Sequence, residues 1–93
     1  MAKSRRKSSQ NPSKLSRAHL DRLKGQIPRR LAQLRGERSQ RAWARELGVF
    51  QQNVNRYENG TTPHTDFLIT VAMHENVSLD WLLLGRGRGR SRR

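Results

Sequence analysis

The sequence predicts an all-α domain, and three observations carry that expectation. Apolar residues recur at three- and four-residue spacing through the middle of the chain. The apolar runs end at Gly or Asn, residues that tolerate the left-handed conformation closing a helix. No segment alternates apolar and polar residues with period two, as a half-buried strand would.

Leu15, Leu20 and Leu23 predict a weak helix from Ser13 to about Lys24, outside the core. Ile27, Leu31 and Leu34 fall at i, i+4 and i+7, with Pro28 suited to a first helical position and Gly36 as the stop. Ser39 caps a helix that turns Trp43, Ala44 and Leu47 inward and stops at Gly48. A short helix from Gln51 to Glu58 ends at Asn59-Gly60. Thr61-Thr62-Pro63 connects it to a fourth helix, marked by Phe67, Leu68, Val71 and Ala72 and stopped by Asn76. Ser78 caps a last turn or two through Trp81 and Leu84, closed by Gly85.

Ninety-three residues make one small domain at most. With 32% apolar and 29% charged residues, a large buried substrate cavity is not expected. There are 20 Lys+Arg against 7 Asp+Glu, a net charge of +13. Residues 1–56 hold fifteen of the cations and three acids, residues 57–85 no cation and four acids, and residues 86–93 five arginines. A unit with a basic half, an acidic half and cationic tails has a defined electrostatic face. Residues 1–12 read as a disordered basic arm carrying Lys3, Arg5, Arg6 and Lys7, and 13–25 as a weak helix or linker. The folded unit is expected over 26–85, with a disordered Arg/Gly tail over 86–93. There is no Cys, so disulfides and thiolate chemistry are excluded. The longest apolar run, Trp81 to Leu84, is far below a membrane span, and no apolar stretch follows the basic start as in a signal peptide. The expectation is a soluble cytoplasmic protein, nucleoid-associated, that seeks a polyanion and not a membrane.

Gln40 to Tyr57 reads as two helices with three residues between them. Ala44 is small where the second helix crosses the first, and Gly48 stands where the chain reverses within one residue. Trp43, Leu47, Val49, Val54 and Tyr57 share one interior. A helix, a tight Gly turn and a steeply crossing second helix form a helix-turn-helix, whose second helix enters the DNA major groove.

The segments Gln40-Arg41-Ala42-Trp43-Ala44-Arg45-Glu46-Leu47-Gly48-Val49, Gln51-Gln52 and Arg56-Tyr57-Glu58-Asn59-Gly60 resemble the helix-turn-helix family of lambdoid phage repressors and Cro proteins, the XRE type. Phe67-Leu68, Val71-Ala72 and Val77 to Gly85 are similar to its last two helices. The resemblance covers about residues 26–85 and implies a compact five-helix repressor-like DNA-binding domain. It also implies that Gln40 contacts a phosphate and braces Gln51. The chain departs from the family at three places: a short link over Arg35 to Ser39, Phe50 where Ser or Thr usually caps a helix, and Glu75 where an apolar residue is common.

Helical geometry separates the residues of 51–58. Val54, Tyr57 and Phe50 define the buried direction, with Gln52, Asn55 and Arg56 opposite, Gln51 at one edge and Asn53 at the other. Amides make paired bonds to adenine and Arg to guanine, so Gln51, Gln52, Asn53, Asn55 and Arg56 are the expected base contacts. Ser39, Gln40, Arg38, Arg41, Asn59, Thr61 and Thr62 are the expected phosphate contacts. Glu58 is expected to be held by Arg29 or Arg30. Trp43 and Trp81 read as core, or for Trp81 a subunit contact, and the apolar end at Leu79, Leu82 and Leu83 as either a contact surface or core filling.

No catalytic pattern emerges. His19, His64 and His74 lack ligand spacing, and there is neither a carboxylate pair nor a phosphate loop, so no enzyme, metal or cofactor is expected. His64 reads as a cap or surface residue and His74 as a helix-surface side chain. The sequence thus points to a sequence-specific double-stranded DNA-binding regulator, a phage or prophage type of repressor. The resemblance adds a homodimer on a palindromic operator, and no small-molecule ligand is expected. Two rivals remain at this level: an antitoxin-like autoregulator with a protein partner, and an RNA-binding or nucleoid protein acting through its tails.

Overall fold

The structure, a computed structural model, describes residues 16–89. Five helices follow one another among the described residues: α1 (Arg17–Arg35), α2 (Gln40–Leu47), α3 (Gln51–Glu58), α4 (Thr65–Glu75) and α5 (Asp80–Leu84). The compact all-α architecture expected from periodicity is the one observed. The arm over 1–12 and the last residues, 90–93, lie outside the described residues.

The first helix differs from its expected course. Ser16 caps it, its hydroxyl accepting from the His19 amide at 3.1 Å, and the chain stays helical for 19 residues. Pro28 lies inside this helix, not at its start. A proline forgoes one backbone bond and crowds one carbonyl, which a helix survives when the turns on both sides hold. Only the second half is anchored: Ile27, Leu31 and Leu34 are buried, while Leu20 is exposed and Leu23 half-buried. Gly36, at φ +63°, ends it, its amide returning to the Ala32 carbonyl.

The next two helices follow their sequence signals closely. Ser39 accepts from the Ala42 amide at 3.0 Å and opens α2. Gly48 adopts the left-handed conformation (φ 75°, ψ 30°), which a residue with a Cβ rarely takes, and closes it. The Val49 amide then reaches back to the Ala44 carbonyl, so three residues suffice to redirect the chain into α3. Ala44 is buried to 2% exposure at the crossing.

Every helix supplies the centre of the core. Leu31 of α1, Trp43 of α2, Val54 and Tyr57 of α3, Val71 of α4 and Leu82 of α5 are all essentially inaccessible to water. Tyr57 and Phe67 stack obliquely, with ring centroids 4.6 Å apart. This packing pins the inner side of α3 and presents its outer side to solvent.

One apolar residue departs from expectation, and the apolar end of the domain divides between core and surface. Phe50, placed with Val54 and Tyr57 by the helical wheel, is 76% exposed. It is the N-cap and its backbone is extended, so the helical wheel does not apply to it. Leu82 is fully buried and Leu83 packs on the core, so of the expected apolar end only Leu79 stands out. The last helix is wound wider than an α-helix: the Gly85 amide bonds the Asp80 carbonyl five residues back as well as that of Trp81. Counting at 3.6 residues per turn therefore misplaces its side chains. Ser78 does cap it, accepting from the Trp81 amide at 3.0 Å. Trp81 is half-buried, and the Gly89 backbone lies so close to its indole that an added Cβ would sit 3.0 Å from the ring. Gly89 of the Arg/Gly tail is thus placed against Trp81, while residues 86–88 are exposed.

Candidate nucleic-acid interface

The outer side of α3 is a continuous polar surface. Gln51, Gln52, Asn55 and Arg56 are exposed and together line one open depression of about 540 Å³. Asn53 is half-buried at the edge, and its side-chain oxygen accepts from Arg56 Nη2 at 3.0 Å. That bond orients the guanidinium along the helix while leaving most of its donors toward solvent. No acid interrupts this face before Glu58.

Glu58 is held, but by a different arginine from the expected pair. Arg35, on the last turn of α1, makes a two-pronged contact: Nε to Oε2 at 2.8 Å and Nη2 to Oε1 at 3.0 Å. Arg35 is the cation that the α1–α3 packing brings level with the end of α3. Arg30 sits a turn and a half earlier and bonds Gln26 and the Leu82 carbonyl instead. The Glu58 side chain is 7% exposed, so the paired geometry holds its charge away from the exposed outer side of α3. The bond to Glu58 also raises the Arg35 pKa above its ordinary value, against a smaller effect of burial.

Gln40 joins this brace to α3. Its Nε2 donates to Glu58 Oε1 at 3.0 Å, and its Oε1 accepts from Asn55 Nδ2 at 3.2 Å. The partner implied by the family resemblance was Gln51; the observed partner is Asn55, one turn later, because Glu58 fixes the amide from the other end. Asn55 is thereby oriented from within the protein. Its carbonyl accepts from Asn59 Nδ2 at 2.7 Å, tying the post-helix turn to the same strut.

Arg38, expected to face a phosphate, is engaged inside. Nη1 reaches Glu46 at 2.6 Å, Nη2 reaches Glu75 Oε2 at 3.2 Å, and Nε and Nη2 also cap the carbonyls of Arg35 and Leu34. Its guanidinium lies 5.8 Å from the Trp43 ring centroid. Burial opposes the charge on Arg38, but the bonds to Glu75 and Glu46 outweigh it and raise the pKa. Glu75 itself is buried and accepts from Trp43 Nε1 at 2.8 Å, which explains an acid at a position usually apolar. His74, expected as plain helix surface, places Nε2 3.1 Å from Glu46 Oε1. That bond, followed by the Arg38 contact, holds the Glu46 carboxyl below its ordinary value of 4.5 against a desolvating effect. Glu46, His74 and Glu75 offer ligand atoms within 4.8 Å of one another, a cluster that spacing along the chain does not reveal. The cation seated against both acids is the Arg38 guanidinium.

The remaining expected contacts lie open around α3. Ser39, Arg41, Asn59, Thr61 and Thr62 are exposed. Arg45, absent from the expected set, is exposed one turn beyond Arg41; their i, i+4 spacing was the available signal. Lys3, Arg5, Arg6 and Lys7 lie outside the described residues. His64 is an exposed N-cap without a side-chain bond, its ring edge-on to Tyr57. Among the described residues, no helix is long and apolar enough to cross a membrane.

An outward amide-and-guanidinium helix set by a tight Gly turn has a match in a known family. Residues 26–90 fit the profile of the bacteriophage CI repressor helix-turn-helix domain. The chain belongs to that family. It is a DNA-binding helix-turn-helix domain of the phage repressor type. No curated protein and no solved structure matches it. The family profile begins just before Ile27, within α1, so the exposed first turns of that helix precede the matched region.

Proposed function

We propose that the chain is a sequence-specific repressor that reads double-stranded DNA through α3 in the major groove. The observation that carries this reading is the outer face of α3, with Gln51, Gln52, Asn55 and Arg56 exposed together while Val54 and Tyr57 anchor the opposite side. Gln51, Gln52, Asn55 and Arg56 contact bases, and Asn53 chiefly orients Arg56. Gln40 contacts a phosphate while steadying Asn55. Ser39, Arg41, Asn59, Thr61 and Thr62 contact the two phosphate walls, joined by Arg45. Arg38 leaves this set because its donors are bonded within the protein.

The unit over 26–85 binds the groove, and the arm over 1–12 adds counterion-releasing charge through Lys3, Arg5, Arg6 and Lys7. The chain acts as a homodimer on a palindromic operator, with half-sites ~34 Å apart, and occupancy blocks a promoter. The deciding experiment is selection of duplexes from a random pool, followed by footprinting upstream of the chain's own gene. A defined, two-fold related sequence is the expected outcome; equal binding to all duplexes would remove the base-reading role. Deleting residues 1–12 is expected to flatten the dependence of log K on log salt by up to about 3–4, with the selected sequence unchanged.

A further inference from the structure

Phe50 is unlike the other large rings of the molecule. Trp43, Tyr57 and Phe67 are buried and Trp81 half-buried, whereas Phe50 is 76% exposed. It also takes the N-cap position of α3 without a side-chain hydrogen bond. The hydroxyls of Ser16, Ser39 and Ser78 each accept from an amide three residues on, whereas His64 at the start of α4, like Phe50, makes no side-chain bond. A serine at 50 would stabilise the helix, and the phenylalanine forgoes that.

The placement of the ring gives it a use. Phe50 directly precedes Gln51 and Gln52, so its exposed ring stands at the N-terminal end of α3. A recognition helix presents its N-terminal residues to the base edges. Phenyl has no hydrogen-bonding group, and the one apolar feature on the major-groove edge is the thymine C5-methyl. We propose that Phe50 is a specificity-determining residue that packs on a thymine methyl beside the bases read by α3. The proposal rests on the base-reading role assigned above.

The test uses the full chain and duplexes it selects from a random pool. Each thymine is replaced in turn by deoxyuridine, which lacks only the methyl. The unaltered chain is expected to bind about three- to fivefold more weakly at one thymine position, the effect of one methyl-sized apolar contact. Phe50→Ala is expected to bind the thymine and deoxyuridine forms of that duplex alike. Phe50→Ser, which restores a cap, is expected to melt at a higher temperature while losing the same discrimination. A methyl preference retained by either variant overturns the proposal. So does a uniform loss of affinity in Phe50→Ala with no methyl-sensitive thymine, which would put the ring on deoxyribose. Failure to enrich any sequence would remove the base-reading role and the proposal together, whereas enrichment without a methyl-sensitive thymine removes the proposal alone.

Discussion

Arg38 and Arg56 carry the same group at the two ends of the helix-turn-helix, and the fold uses them in opposite ways. Arg38 is closed in by Glu46, Glu75, two helix-end carbonyls and the Trp43 ring. Arg56 is exposed and has one neutral partner, the Asn53 amide oxygen. A guanidinium paired with carboxylates has its charge answered and its donors directed; one paired with an amide keeps both for a ligand. The difference lies in the surrounding acids, which α4 and the end of α2 bring to Arg38 and which α3 withholds from Arg56. A basic helix-turn-helix is thus divided into cations that hold the domain and cations left open to solvent.

Mutation is expected to separate the two regions sharply. Arg38→Ala removes the guanidinium from the buried Glu75, which keeps its bond to Trp43 Nε1, and should cost about 2–3 kcal/mol of folding stability in denaturant titration. An unchanged midpoint, with a salt slope of DNA binding lowered by about one, would break the comparison and return Arg38 to the phosphates. Arg56→Ala and Gln52→Ala should each weaken binding by about 1–3 kcal/mol at particular base pairs, with stability within about 0.5 kcal/mol of the parent. Uniform weakening on every duplex would mean that these side chains do not read bases. Asn53→Ala should have a smaller effect, about 0.5–1.5 kcal/mol, since it removes one hydrogen bond that orients Arg56. Its loss should vanish in an Arg56→Ala background; persistence there would give Asn53 a contact of its own.

The smallest expected effect is on acidity. The Glu46 carboxyl lies below its ordinary value when folded, so its contribution to stability is complete above about pH 4.5 and is lost as pH falls further. Melting temperatures measured from about pH 6 to about pH 3 should fall less steeply for Glu46→Gln than for the parent. An identical pH profile would show that the Arg38 side of the comparison holds without this carboxylate.

Much of the architecture was legible one residue at a time. Ser39, Gly48, Asn76 and Gly85 mark helix ends through local backbone chemistry, and each is found in that role. The stripe of Ile27, Leu31 and Leu34 was equally plain, because burial follows helical period. Pro28 misled, since proline is acceptable both at the start and inside a helix, and only the neighbouring turns choose between them. Phe50 misled for a related reason: periodicity describes directions within a helix and says nothing of a residue at its open end. The exposed face of α3 was legible because Val54 and Tyr57 fix its opposite side. The bonds that steady that face were not, because Gln40, Glu58 and Arg35 lie on three separate helices.

Local spacing and residue type were enough to determine the helices from Ser39 onward, the reversal at Gly48 and the amide-bearing face of α3. These depend on backbone conformation and on period, which act within a few residues. Only the packed structure decided which acid meets which arginine. Arg35 took Glu58, Arg38 took Glu75 and Glu46, and Asn55 was braced by Gln40. Such pairings join residues 8 to 37 positions apart, and a charge on a flexible side chain accepts whichever partner the core brings within reach.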